Sequence, residues 1–84
     1  MYLADHTWPE LGESLSEGSV ALVPLGSTEQ HGPHLPLATD HLIAEGLATA
    51  AAEETGAVRT PTVTVGVSPH HRQFPGTMWV DPPE

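Results

Sequence analysis

The sequence predicts an α/β unit in which a strand, a crossover helix and a second strand follow one another. Three stretches predict it. SVALVPL at 19–25 is a near-continuous apolar run, the pattern of a strand buried on both faces of a parallel sheet. DHLIAEGLATAAAEET at 40–55 is rich in Ala and has helical apolar spacing at Leu42, Ile43, Leu47 and Ala50. The segment 58–67 alternates as a strand does, with TVTVGV at its centre. Joined in this order they form a right-handed βαβ unit with parallel strands.

The remaining elements fit around that unit. Thr7-Trp8-Pro9-Glu10 reads as a helix start, with Thr7 as N-cap, Pro9 in the first turn and Glu10 completing a capping box. Leu11 and Leu15 are four apart and would form its inward stripe, and Gly18 would end it. Gly26, Gly32, Pro33 and Pro36 punctuate a loop over 26–39. Gly56 is a natural terminator of the long helix. SPHHRQFPGT at 68–77 is a second loop, and MWVDPPE after it would start a further element. Two parallel strands and a helix are marginal alone, because parallel sheets need both faces covered. Residues 1–84 are therefore expected to be the N-terminal part of a single larger α/β domain, or to complete their sheet by association.

Composition narrows the function classes. Eleven Asp and Glu face only Arg59 and Arg72, for a formal net charge of −9. That balance argues against nucleic acid, which needs a basic footprint, and against anionic membrane surfaces. A Lys-free acidic chain also suits a salt-adapted source, where self-repulsion is screened. There is no Cys, which excludes disulfides, thiolate zinc sites and Cys nucleophiles. No signal peptide and no membrane-length apolar run is visible, so cytoplasm is the expected location.

The chemistry concentrates in GSTEQHGPHLPLATD, residues 26–40. Both this loop and 68–77 follow strand C-termini, the edge at which ligands bind in such folds. Glu29 and His31 are two apart, so in extended chain they point the same way. Pro-Gly turns would fold the chain back until Asp40 meets them. Two carboxylates and an imidazole suit Zn, Mn or Fe(II), and three protein ligands leave open positions, as catalytic sites do. Each residue also has a plainer reading. Glu29 fits a solvated loop carboxylate, Asp40 a first-turn helix acid, and His31 and His34 hydrogen-bonded loop imidazoles. His41 would face outward on the helix surface.

The stretch GSTEQHGPHLPLATD resembles the signature of the creatininase family. TWPE near the start and HRQFPGT at 71–77 are similar to family segments in the same order. The resemblance implies an α/β fold with a parallel sheet flanked by helices. It implies a centre of two divalent metal ions, Zn, Mn or Fe, and hydrolysis of a non-peptide C–N bond, an amide or formamide, by a metal-bound hydroxide. It implies Glu29, His31 and Asp40 as metal ligands, with Asp40 bridging. His34 matches a recurrent position, open to contact either with the metal ligands or with substrate. His71 matches the family His ahead of FPGT, in a loop near the active site that could also stand at a subunit contact, and His70 stands where many members carry Glu, which leaves the roles of both open. The family suggests a small-molecule amide substrate and a homo-oligomer, often hexameric. Creatinine, a formylamino-pyrimidine nucleotide or another amide are all open, and a peptidase-like maturation enzyme is among the relatives.

Family members also draw ligands from a downstream segment resembling NGHGGN or NGHxE, which these 84 residues do not contain. The competing expectation is thus an inactive creatininase-like remnant or half-subunit that needs another chain. A His-rich metal store fits less well, because the six His are scattered and the loop is stiffened by proline.

Overall fold

A computed structural model describes residues 1–83. After a 3₁₀ turn at Leu3–Asp5, helix α1 spans Trp8–Ser14, strand β1 Ala21–Leu22, helix α2 Thr39–Thr55 and strand β2 Val58–Arg59. A second 3₁₀ turn covers Pro69–His71. β1 and β2 pair in parallel, Ala21 beside Val58 and Leu22 beside Arg59, so the strand–helix–strand order is as expected.

The strands are far shorter than the apolar runs predict, and the prolines explain why. Pro24 and Pro61 cannot donate to a ladder. Beyond Leu22 the pairing resumes only at Leu25–Val63, where Val63 N–H donates to Pro24 O at 3.0 Å and Gly26 N–H to Val63 O at 2.9 Å. The partner offset grows by one residue between Leu22–Arg59 and Leu25–Val63. One extra residue is thus accommodated around Pro61, as in a bulge. The chain start adds a third segment: Arg59 N–H donates to Met1 O at 2.8 Å, and Tyr2 bridges Arg59 in parallel. Neighbouring N–H groups of a strand point to opposite edges. β2 therefore lies between β1 and the N-terminus. Arg59 also stacks over the Tyr2 ring at 4.0 Å and approaches Glu45 at 3.8 Å.

α1 begins as the sequence predicts. Glu10 Oε1 accepts from both the Thr7 N–H and the Thr7 hydroxyl at 2.8 Å, and these bonds lower the Glu10 pKa. The helix stops at Ser14, four residues before Gly18, with Leu15 already extended and exposed. Leu15 therefore does not form the expected inward stripe.

α2 starts within one residue of the prediction and ends on Gly56, whose φ of 76° is the left-handed conformation of a C′ glycine. Its inward face differs from the expected one. Leu42, Ile43, Leu47 and Ala50 are exposed, while Ala52 is buried and Ala44 and Ala48 are partly covered. Small side chains let the helix approach β2 closely, and the buried hydrophobic core among the described residues is Ala52, Ala57 and Val58, with Pro24 also buried. The large side chains form a second stripe on the far side of the helix.

The closing stretch forms no named element. Met78 bridges Thr28 antiparallel and Trp79 bridges Gly66 in parallel. Glu84, the last residue of MWVDPPE, lies outside the described residues. Among the described residues no helix is long and apolar enough to cross a membrane.

Candidate metal centre

Both ligand-rich loops leave the C-terminal ends of the paired segments, and Thr28 fastens them together. Its hydroxyl donates to Thr64 O at 2.7 Å, and its carbonyl accepts from Met78 N–H at 2.8 Å. Glu29 follows directly, and its N–H closes the loop on Leu37 O at 3.2 Å. Gly26 permits a further close approach. A Cβ there would stand 2.5 Å from the His41 Cα, so the start of the loop packs against the first turn of α2. His41 is accordingly half-buried, not the outward surface residue expected.

Glu29, His31 and Asp40 converge: each offers a ligand atom, and the three atoms lie within 4.8 Å of one another. The N-cap of α2 is Ala38, so Asp40 sits inside the first turn without capping it. Its Oδ2 accepts from the Ser27 hydroxyl at 2.6 Å, and its Oδ1 lies 3.0 Å from His31 Nε2. The Ser27 bond is the main reason the Asp40 pKa is lowered; Glu29 and His31 add to it, and desolvation opposes them. Asp40 is thus held as a carboxylate.

His31 Nδ1 lies 3.4 Å from the carbonyl of Glu29. A carbonyl and a carboxylate both only accept, so the shorter contact, Nε2 to Asp40 Oδ1 at 3.0 Å, has the ring donate its Nε2–H to Asp40. A divalent cation entering that gap would replace the bridging proton and take the Nε2 lone pair. The donor set therefore fits a divalent ion: two carboxylates and one imidazole, at the edge where the fold presents ligands.

A second group, Glu29, His70 and His71, also brings ligand-type atoms within 4.8 Å of one another. His70 is exposed and His71 half-buried. Gln30 joins the loops, with its Nε2 3.0 Å from His71 Nδ1 and its Oε1 accepting from Gly32 N–H at 2.9 Å. His34 is exposed and belongs to neither group; its ring sits against Gly32, whose φ is 74°. Sequence reasoning missed Ser27 and Gln30. Gln30 carried a signal, because a residue between two that point one way in extended chain points the other way.

A concavity of about 320 Å³, lined by Gly18, Val20, Leu22, Ala51, Thr55 and Ala57, opens at the opposite, N-terminal ends of the strands. It is remote from the ligand groups.

A parallel α/β unit carrying a carboxylate–imidazole cluster at its strand C-termini defines a candidate metal-binding unit in class. The family model for creatininase, described as creatinine amidohydrolase, matches residues 4–84, and the chain belongs to that family. It is 51% identical to the mycofactocin precursor peptide peptidase of Mycolicibacterium smegmatis over 70% of this chain and 26% of the relative. It is 29% identical to the creatinine amidohydrolase of Pseudomonas putida over 96% of this chain and 34% of that protein. Solved creatininase structures, one a mutant of Zn–Zn type and one described as creatininase Mn, superpose with a TM-score of 0.84 at 30% identity over 95% of this chain. The chain spans about a quarter to a third of the length of these relatives.

Proposed function

We propose that this chain supplies one wall of the metal centre of a creatininase-family hydrolase that cleaves a C–N bond of a small-molecule amide. The observation that carries the reading is the convergence of Glu29, His31 and Asp40 within 4.8 Å, in the stretch that carries the family resemblance. Divalent cations, two in a complete site and Zn, Mn or Fe in kind, would polarise the scissile carbonyl and lower the pKa of water there.

The chain's own residues prepare that chemistry. Ser27 donates to one Asp40 oxygen and leaves the other facing His31. The Glu29 backbone carbonyl, 3.4 Å from Nδ1, orients the His31 ring with its Nε2 toward Asp40, so a cation there would displace a proton and gain the Nε2 lone pair. Glu29 has two carboxylate oxygens and a backbone tied to Leu37, so its side chain starts from a fixed point. Asp40, entering from the helix, is suited to bridging. His34, exposed beside Gly32, is free for substrate contact. Association into a homo-oligomer belongs to the same reading, supported by the uncovered Leu42, Ile43 and Leu47 of α2. A cytoplasmic location remains the expectation attached to it.

A second reading of the substrate has its own support. The relative that is 51% identical is named a precursor peptide peptidase, which favours a peptide C–N bond. One experiment addresses both. The purified intact protein is assayed for metal content and for hydrolysis of creatinine, formamides and short peptides, beside Glu29→Gln and Asp40→Asn. The reading expects bound divalent metal, activity on one amide class, and loss of both in the two variants. Hydrolysis that persists in metal-free protein would contradict it.

A further inference from the structure

The two histidines nearest Glu29 are held by opposite kinds of partner. His31 Nδ1 meets a backbone carbonyl, which can only accept. His71 Nδ1 meets the side-chain amide nitrogen of Gln30 at 3.0 Å, which can only donate. The orientation of that amide is fixed from its other end, because its oxygen accepts the Gly32 N–H at 2.9 Å. Turning the amide over would set two donors against each other at Gly32. Gly32 can stand there because it is glycine: its φ is 74°, and a Cβ would lie 2.9 Å from the His34 ring. The Gly32–Gln30–His71 chain therefore has one consistent direction of donation.

From this we infer that His71 is a hydrogen-bond donor of the site and not a metal ligand, with Gln30 as the positioning residue that sets its tautomer. With Nδ1 accepting, the proton of neutral His71 resides on Nε2. A metal needs a lone pair, and the ring has none left to give without breaking the Gln30 bond. A ring beside Glu29 with a fixed Nε2–H suits instead an acceptor on the substrate, a carbonyl oxygen or the negative charge that develops on it during C–N cleavage. The ring is also confined sideways, with the His70 ring centroid at 4.1 Å and the Phe74 centroid at 6.2 Å. The backbone repeats the tie, since Phe74 N–H donates to His71 O at 3.0 Å.

The assignment chooses between two groups that proximity alone makes equal. In Glu29–His31–Asp40 the imidazole Nε2 faces a carboxylate, where a cation can replace the proton that joins them. Glu29–His70–His71 has one imidazole occupied by an amide donor. The role for His71 in turnover rests on the proposed function; its tautomer does not.

The test is the imidazole nitrogen spectrum of the intact, 15N-labelled protein, recorded where the rings are neutral, before and after Zn²⁺ is added. The expected result is His71 in its Nε2–H form, with Zn²⁺ shifting the ring nitrogens of His31 and leaving those of His71 in place. Gln30→Glu, which places acceptors where the amide donor was, should move the His71 proton to Nδ1. Zinc content should be unchanged in His71→Ala, while turnover falls by about 10²-fold, the usual loss of one such donor. A His71 proton on Nδ1 in the unmodified protein, or a Zn²⁺-induced shift of the His71 ring, would overturn the inference. A spectrum with the expected His71 tautomer but no Zn²⁺ effect on His31 would support the inference and count against the proposed metal centre. The unmodified protein decides the matter even where a variant fails to fold.

Discussion

The two ends of the sheet are held together by different physics. Where β1 and β2 begin, the molecule buries carbon: Ala52, Ala57 and Val58. Arg59 finishes that end, stacked on Tyr2 and reaching Glu45. Where the paired segments end, it buries hydroxyls: Ser68 and Thr77 are almost fully covered. The Thr77 hydroxyl has no hydrogen-bond partner. At the same end Ser27, Thr28 and Gln30 make directed bonds to Asp40, Thr64 and His71, tying loop 26–40 to itself, to the second paired segment and to loop 68–77. Apolar packing tolerates small shifts, whereas a hydrogen-bond chain fixes direction. The first end is suited to holding a fold and the second to aiming ligand atoms.

Substitutions at each end should therefore separate stability from binding. The largest expected effect is Asp40→Asn. The amide keeps an oxygen for Ser27 but removes the charge that His31 faces, so Zn²⁺ affinity should fall by about 100-fold or more, at least the loss typical of disturbing an outer-shell partner. Helix content should not change, because Ala38, not Asp40, is the N-cap. Competition with a chromophoric chelator beside far-UV circular dichroism reads both.

Ala52→Leu is the converse. It forces a larger side chain against β2 and should lower stability by about 1–3 kcal/mol in denaturant titration. The Zn²⁺ affinity of the folded protein should stay as it was. A matching loss of affinity would mean that the two ends are one cooperative unit.

Gly32→Ala comes next. The left-handed φ alone costs about 1–2 kcal/mol for a residue with a Cβ, and the His34 ring must also yield. The strain falls on the chain that orients Gln30. The His71 tautomer should become mixed, while β1–β2 pairing is unchanged in hydrogen exchange.

The smallest effect is on acid stability. The folded pKa of Asp40 is lowered, chiefly by Ser27. Its contribution is therefore fully present above the unfolded carboxylate value and is lost as pH falls through the lowered folded one. In metal-free protein, unfolding curves of the unmodified chain and Asp40→Asn should differ at neutral pH and converge in acid.

Much of this was legible in the sequence, for identifiable reasons. Gly56 and the Ala-rich stretch place α2 within one residue, and strand–helix–strand order gives the parallel pair. Period-two spacing put Glu29 and His31 on one side, and they do meet Asp40. What was not legible depends on contacts that no local pattern encodes. Apolar spacing names two faces of α2 but not which one meets β2, and here the small residues do, leaving Leu42, Ile43 and Leu47 outside. Pro24 and Pro61 lie inside the apolar runs and interrupt a ladder that hydrophobicity alone would extend. Ser27 and Gln30 are ordinary polar residues in sequence, and only the fold gives them Asp40 and His71 as partners.

The most direct test of the central claim is a crystal structure of the intact protein with Zn²⁺, with the ion located by its anomalous scattering. The account predicts a peak among Glu29, His31 and Asp40, with bonds of about 2.0–2.2 Å to oxygen and to the His31 Nε2. A peak held by His70 and His71, with none at Asp40, would contradict it.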